Sequence, residues 1–275
     1  MATSSEVLSV ERTGHVATLW LDSPERRNAM GPAFWQDLPR IMHELSDDPD
    51  VRAVVIAAKG PHFTVGLDLK AFGQITGTDG GRAGSDAIRR TRQFATIKRI
   101  QSTVTTVADC PKPVIAAVHG YCIGGGVDLI TACDIRLASA DALFTVRETK
   151  IAIVADVGTL QRLPRIVGAG HVAELAYTGK DITAARAKEI GLVNDVHADA
   201  AATVAAARAM AEEIAENSPL TVQGVKAVLR AGEGRSVAEG LDYVALWNSA
   251  FFPTNDLGEA LAAFTEKRRP RFKGE

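Results

Sequence analysis

No apolar run in these 275 residues approaches the roughly 20 needed to cross a bilayer, so membrane insertion is not expected. Charge of one sign is missing too: 31 Lys and Arg against 33 Asp and Glu leave a net charge of −2, which gives no basic field to hold nucleic acid. Cysteine is scarce. Cys110, Cys122 and Cys133 are an odd number without metal-ligand spacing and read as reduced thiols. The six histidines include no HExxH pair, so no metal is expected. The N-terminal "MATSSEVLSVERTG" carries acids and lacks an h-region, and the C-terminal "FKGE" is not a peroxisomal address. Those absences lead to a cytoplasmic expectation. No strong internal repeat or low-complexity linker divides the chain.

What is present is ordinary globular material, 46% hydrophobic and 23% charged. "HVATLWLDSP" alternates and then breaks at Pro24, as a strand does. "AFWQDLPRIMHELSDDP" spaces Phe34, Leu38, Ile41 and Leu45 as an amphipathic helix ending near Pro49. "VRAVVIAAKG" and "KPVIAAVHG" read as buried strands, and "DIRLAS" and "DALFTV" as further strands. "TGTDGGRAGSD" is the most loop-like stretch, followed by a basic helical segment from Ile88 to Ile100. From Gly168 onward the pattern is almost all helical, with Thr183 capping "AARAKEI" and Ser218–Pro219 opening "LTVQGVKAVLRAG". An α/β class follows: a core over residues 1–200 carrying the site, and a helical region over 201–275 belonging to the same structural unit.

One segment resists this bland reading. "HGYCIGGGVDLITACDIRLAS" puts Gly124, Gly125 and Gly126 at the start of an apolar helix, with Asp128 in its first turn. Glycine costs a helix about 1 kcal/mol relative to alanine, so three together imply something that must approach the backbone closely. Strand, glycine turn, helix is the arrangement whose free N–H groups face an anion. The phosphate motifs GxxxxGK[ST] and GxGxxG are absent. An oxyanion that develops during a reaction is the other candidate, and a tight packed turn is the non-functional alternative. A second turn, "GPHFTVGLDLKAF", passes through Gly66 after the strand "VRAVVIAA" into what looks like a helix start. Two converging N–H donors make an oxyanion hole.

"FTVGLDL", "KPVIAAVHGYCIGGGVDL", "CDIRLAS" and "GTLQRLPRIVG", taken together and in order, resemble the crotonase (enoyl-CoA hydratase/isomerase) superfamily. The likeness runs from about Glu6 to the C-terminal "AFTEKRRPRF". It implies a ClpP/crotonase-like spiral of ββα units followed by helices that cover the site and build homotrimers, often paired into homohexamers. It also implies an acyl-CoA thioester substrate, no cofactor beyond that CoA, and a hole formed by the peptide N–H groups of Leu67 and Gly125.

The superfamily varies its acids and bases, so the chemistry is read from the carboxylates. Hydratases of this superfamily carry two glutamates. This chain has Asp128 at the first place, Glu148 at the second, and then Asp156 where hydratases usually carry glycine. "GGGVDL…VRE…ADVGTLQRLP" is similar to the dienoyl-CoA isomerase branch. Moving a conjugated diene needs a proton taken from C2 and another delivered at C6, several bonds away, and two carboxyls facing different ends of the acyl chain suit that task. Glu148 is the candidate base at C2, Asp156 the candidate acid at C6, and Asp128 a residue that orients its neighbours or holds a hydrogen bond. Three carboxyls in an apolar pocket require at least one raised pKa. Taken singly, Asp128 reads as a first-turn acid, Glu148 as a strand-end glutamate and Asp156 as an N-cap.

The resemblance further implies CoA contacts from Arg26 in "PERRNAM", from Asp68 and Lys70 beside the second glycine turn, and from Phe264 and Lys267 reaching a neighbouring subunit. His119 is expected to be structural, satisfied by backbone, and Cys122 and Cys133 to be core. The rival activities are an enoyl-CoA hydratase of fatty acid β-oxidation, a non-catalytic acyl-CoA binder and a nucleotide-binding α/β domain.

Overall fold

The computed structural model describes residues 5–71, 73 and 85–275. Phe72 and most of the glycine-rich stretch read as a loop, Thr76 to Gly84, lie outside them. The chain advances as a spiral, each turn adding a strand to one six-stranded sheet and then crossing to a second layer. Strands β1 (Leu8–Thr13) and β2 (Val16–Leu21) pair antiparallel and lead into α1 (Pro32–Asp47). Strand β3 (Ala53–Ala58) adds parallel to β2, and its chain crosses through Thr64 before α2 (Asp86–Asp109). The third turn is β4 (Val114–Val118), β5 (Tyr121–Ile123) and α3 (Gly125–Thr131), and the fourth is β6 (Ile135–Ser139), β7 (Leu143–Thr145) and α4 (Thr159–Arg162). The remaining chain supplies α5 (Ala169–Thr178), β8 (Ile182–Thr183), α6 (Ala184–Glu189) and β9 (Asp195–His197), then four helices. These are α7 (Ala200–Ala215), α8 (Pro219–Ala231), α9 (Val237–Phe251) and α10 (Asn255–Glu266).

The main sheet runs β1-β2-β3-β4-β6-β9, and the second runs β5-β7-β8. Every residue of β3 and β4 is buried, as parallel strands covered on both faces must be. Helix α7 covers one face: Ala207, Ala211 and Ala215, each four residues apart, lie in a cluster with Val55, Ala57, Ile115, Ala117 and Leu137. Small side chains at that spacing form a smooth stripe that lets the helix sit close to the sheet. On the other face Phe34, Leu38, Ile41 and Leu45 of α1 join Val104 and Val107 of α2 in the larger cluster.

Three local expectations change. Strand β1 is added before the alternating run. Helix α2 continues past Ile100 to Asp109 although its last turns are rich in threonine: Val104 and Val107 pack into the core, and Thr103 Oγ1, Thr105 Oγ1 and Thr106 Oγ1 donate back to the carbonyls of Arg99, Gln101 and Thr103. The stretch after Gly168 is helical except for β8 and β9, two short strands whose neighbours β7 and β6 decide their state. The cap predictions stand as written: Thr183 Oγ1 accepts from Arg186 N, and Ser218 Oγ accepts from Thr221 N ahead of Pro219.

Candidate active site

Two crossings between the sheets place the glycine turns side by side. Thr64 bridges Cys122, its N–H donating to Tyr121 O at 2.8 Å while Ile123 N donates to Thr64 O at 3.2 Å. This pairing carries Gly66 against the turn after β5. Gly66 has φ +80°, and a Cβ there would collide with Ile123 O. Gly124 has φ +53°, and its added Cβ would sit 3.2 Å from Glu148 Oε1. At Gly125 the constraint is space: a Cβ would lie 2.9 Å from Met30 Sδ and 3.9 Å from Leu67 N. The glycine run is therefore where Glu148, Leu67 and the fully buried Met30 converge on bare backbone.

The Leu67 amide is free for a geometric reason. Met30 and Leu67 form an isolated parallel bridge in which Met30 N donates to Gly66 O and Asp68 N donates to Met30 O. Such a bridge uses the peptide groups on either side of Leu67 and turns its own N–H away. Gly125 N opens α3, where the first amides have no partner within the helix. Neither amide donates to any group among the described residues, and Leu67 N lies 3.9 Å from where a Gly125 Cβ would be. Thr64 Oγ1 locks the turn by donating to Asn28 O at 2.6 Å and accepting from Gly66 N at 3.0 Å.

The carboxylates meet here from three elements. Asp128, 1% exposed, lies in the first turn of α3 but caps a different helix: its Oδ1 accepts from Thr159 N at 2.6 Å. Burial pushes its carboxyl up to about 6; the Thr159 bond opposes this, and neighbouring Asp156 adds to it. Glu148 begins a 3-10 turn, half-buried, with Oε2 buried and unpartnered. Its carboxyl rises to about 7, first through burial and then through the negative charges of Asp128 and Asp156. That turn is anchored by Thr149 Oγ1 donating to Ala176 O, and by Arg147 Nη2 and Thr145 Oγ1 both donating to Asp181 Oδ1. Asp156 is exposed and pairs with no cation among the described residues. Partial burial still raises its pKa. It does not cap α4, because the N-cap position is Gly158 and Asp128 takes the Thr159 amide. Asp128 thus feels the charge of Asp156, Glu148 feels both, and burial raises all three.

Other expected residues fall differently. Asp68 is buried, and its carboxylate is committed to Arg26 Nη2 and Lys70 N; this makes it a clamp between the two loops. Half-exposed Arg26 and exposed Lys70 flank it on the surface. Phe264 is 85% exposed, and Lys267 ends α10 with φ +52°. Among the described residues no hydrogen bond or ion pair ties either side chain to the glycine turns. His119 Nε2 meets Gly60 O at 2.8 Å, as expected of a structural histidine, while its buried Nδ1 has no partner. Cys122 and Cys133 are buried, and burial pushes the Cys133 thiol up to about 12, so it is no nucleophile at neutral pH. Met30, Thr64 and Thr159 carry much of the geometry but hold no charge or motif that marks them in the sequence.

The sequence profile of the enoyl-CoA hydratase/isomerase family matches residues 11–275. The Delta(3,5)-Delta(2,4)-dienoyl-CoA isomerase, peroxisomal, of Arabidopsis thaliana is 43% identical over 272 residues, 97% of this chain and 96% of that protein. The mitochondrial Delta(3,5)-Delta(2,4)-dienoyl-CoA isomerase of Homo sapiens is 44% identical over 257 residues, 92% of this chain and 77% of that one. The crystal structure of enoyl-CoA hydratase from Bacillus anthracis superposes with a TM-score of 0.87 at 33% identity, covering 98% of this chain and all (100%) of that one. The spiral expected from the sequence is the fold of these structures. The cytoplasmic expectation is overturned, since these isomerases are named for peroxisomes and mitochondria. Unpaired thiols were a poor guide to compartment, because burial keeps all three cysteines apart from any partner whatever surrounds the protein. A match running from Glu11 to Glu275, through both glycine turns and all three carboxylates, leaves one conclusion: the chain belongs to the enoyl-CoA hydratase/isomerase family.

Proposed function

We propose that this protein is a dienoyl-CoA isomerase that converts a 3,5-dienoyl-CoA to the 2,4-dienoyl-CoA. The thioester oxygen sits between the amides of Leu67 and Gly125. Glu148, ionised, removes a proton from C2, and the resulting dienolate rests its charge on that oxygen, where fixed donors stabilise it more than the ground-state carbonyl. Asp156, protonated, delivers a proton at C6. The conjugated diene moves and no water is added. Asp128 acts on the Asp156 side of the site by holding Thr159. The chemistry draws on no cofactor beyond the CoA of the substrate.

The observation that carries this reading is the placement of Asp156. It is a third carboxyl in the same site as Glu148, uncommitted to any cap or cation, where a hydration reaction has no use for it. The names of the relatives at 43% and 44% identity support the same reading. Arg26 and Lys70 bind the CoA phosphates, with Asp68 orienting Arg26. Phe264 and Lys267 reach CoA on a neighbouring subunit of a homotrimer or a dimer of trimers, which gives a task to side chains left exposed by the single chain. Incubating the protein with a 3,5-dienoyl-CoA and a 2-enoyl-CoA in parallel tests the reading. Growth of conjugated 2,4-dienoyl absorbance is expected. Rapid loss of the enoyl chromophore with the dienoyl substrate untouched would give the protein to the hydratase reading.

A further inference from the structure

Residues 152–158 belong to no helix or strand, yet their backbone is held by side chains from elsewhere. Gln101 Nε2 donates to Asp156 O at 2.7 Å, and Lys98 Nζ donates to Gln101 Oε1 at 3.0 Å, which settles which end of the amide faces Asp156. Four residues on along the same face of α2, Thr105 Oγ1 accepts from Arg162 Nη2 at 3.0 Å, while Arg162 Nη1 donates to Val157 O at 3.3 Å. Asp128 holds Thr159 N. Successive backbone groups from Asp156 to Thr159 are thus gripped from α2, α3 and α4.

We infer that Gln101 is a positioning residue for Asp156, resting on the isomerase reading above. The bond it makes is exposed, so water can replace it at little cost in stability. Its effect is directional. Fixing the Asp156 carbonyl fixes the adjacent peptide plane and with it the Cα–Cβ vector that aims the carboxyl at C6. In a solvent-edge segment without regular structure, side chains from elsewhere must hold the backbone, and Gln101 is the one bonded to Asp156 itself; an ångström of misplacement can cost a factor of about 10² in rate.

The test uses the full chain with Gln101→Leu and Gln101→Glu, each alone and combined with Asp156→Asn. Isomerisation kcat and KM are measured alongside exchange of the C2 proton with deuterated solvent. Each single Gln101 variant is expected to lose about tenfold to hundredfold in kcat with KM and C2 exchange unchanged, and to cost nothing further once Asp156 is asparagine. Gln101→Glu keeps the shape but presents an acceptor to the carbonyl, so it carries the test if the leucine variant fails to fold. Unchanged isomerisation, a parallel fall in C2 exchange, or a full additional loss in the Asp156→Asn background would overturn the inference. A wild type that does not isomerise would end the isomerase reading itself, while an Asp156→Asn variant as active as wild type would end the C6 role of Asp156 and the role of Gln101 with it. Impaired Asp156→Asn beside fully active Gln101 variants would end only the role of Gln101.

Discussion

The spiral core and the last three helices are built to different rules. Strands β3 and β4 are buried end to end, while α9 buries none of its fifteen residues and leaves Val237 81%, Leu241 62% and Leu246 71% exposed. Helix α8 is tied to the core by two cations: Lys226 Nζ donates to Asp134 Oδ2 at 2.6 Å and Lys112 O at 2.9 Å, and Arg230 donates to Ala108 O and Asp109 Oδ1 at the end of α2. Beyond those ties, a cleft of about 1260 Å³ lined by Val225, Leu229, Trp247 and Phe251, among others, separates the two parts. The strands of the first region are covered on both faces, while the last three helices display more apolar surface than a lone chain normally tolerates. On the proposed function, chemistry falls to the first and assembly to the second, so changes in each should have separable effects.

The broadest effect, on both readouts, is expected in the core at Gly125→Ala. The added methyl meets Met30 Sδ and the Leu67 amide, and one lost hole donor costs about 10²–10³ in kcat. Isomerisation and C2 exchange should fall together while light scattering is unchanged. A variant that turns over normally would sink the two-amide hole.

Asp156→Asn comes next, with isomerisation down by about 10²–10⁴ and C2 exchange retained. Its pH behaviour sharpens the point. Glu148 must be ionised, and its carboxyl titrates at about 7, so C2 exchange should rise with pH through about 7 and level off. Asp156 must be protonated, and partial burial raises its carboxyl from the ordinary value. Isomerisation should therefore turn down on the alkaline side of its profile while exchange does not. Two profiles that rise together would remove Asp156 from the proton path.

A smaller change belongs to stability. Asp128 is raised in the folded chain from 3.8 to about 6, so the folded state holds this proton more tightly than the unfolded one. That contribution is complete below about pH 4 and is lost as pH rises through about 6, amounting to about 3 kcal/mol. Asp128→Asn still offers an oxygen to Thr159 N and carries no buried charge. Its Tm should exceed wild type at pH 8 and match it at pH 4. An equal difference at both would show that burial of the ionised form is not what costs stability.

The smallest effects are expected in the C-terminal helices. Leu241→Asp with Leu246→Asp should shift light scattering from a trimer or hexamer to a monomer. Lys267→Ala should raise KM for the acyl-CoA about tenfold, the size of one charged contact, with kcat little changed. A wild type that is monomeric at micromolar concentration would break the division of labour between the two regions.

The sequence by itself determined the elements and the chemical cast. Apolar β-branched runs could only be buried strands, three glycines could only face something that excludes side chains, and Glu148 and Asp156 stood out as charges beside them. Tertiary structure decided what each does. Asp128 reads as a first-turn acid in sequence, but packing sends its carboxyl to Thr159, 31 residues away. Asp68 stands beside the second glycine turn in sequence, but folding brings its carboxylate to Arg26, 42 residues away. The freedom of the Leu67 amide depends on Met30 pairing across the crossing of two sheets. Local periodicity follows from the geometry of a few bonds and is written along the chain. Hydrogen-bond partners brought together by a spiral are set by the closure of the fold, which no short stretch contains.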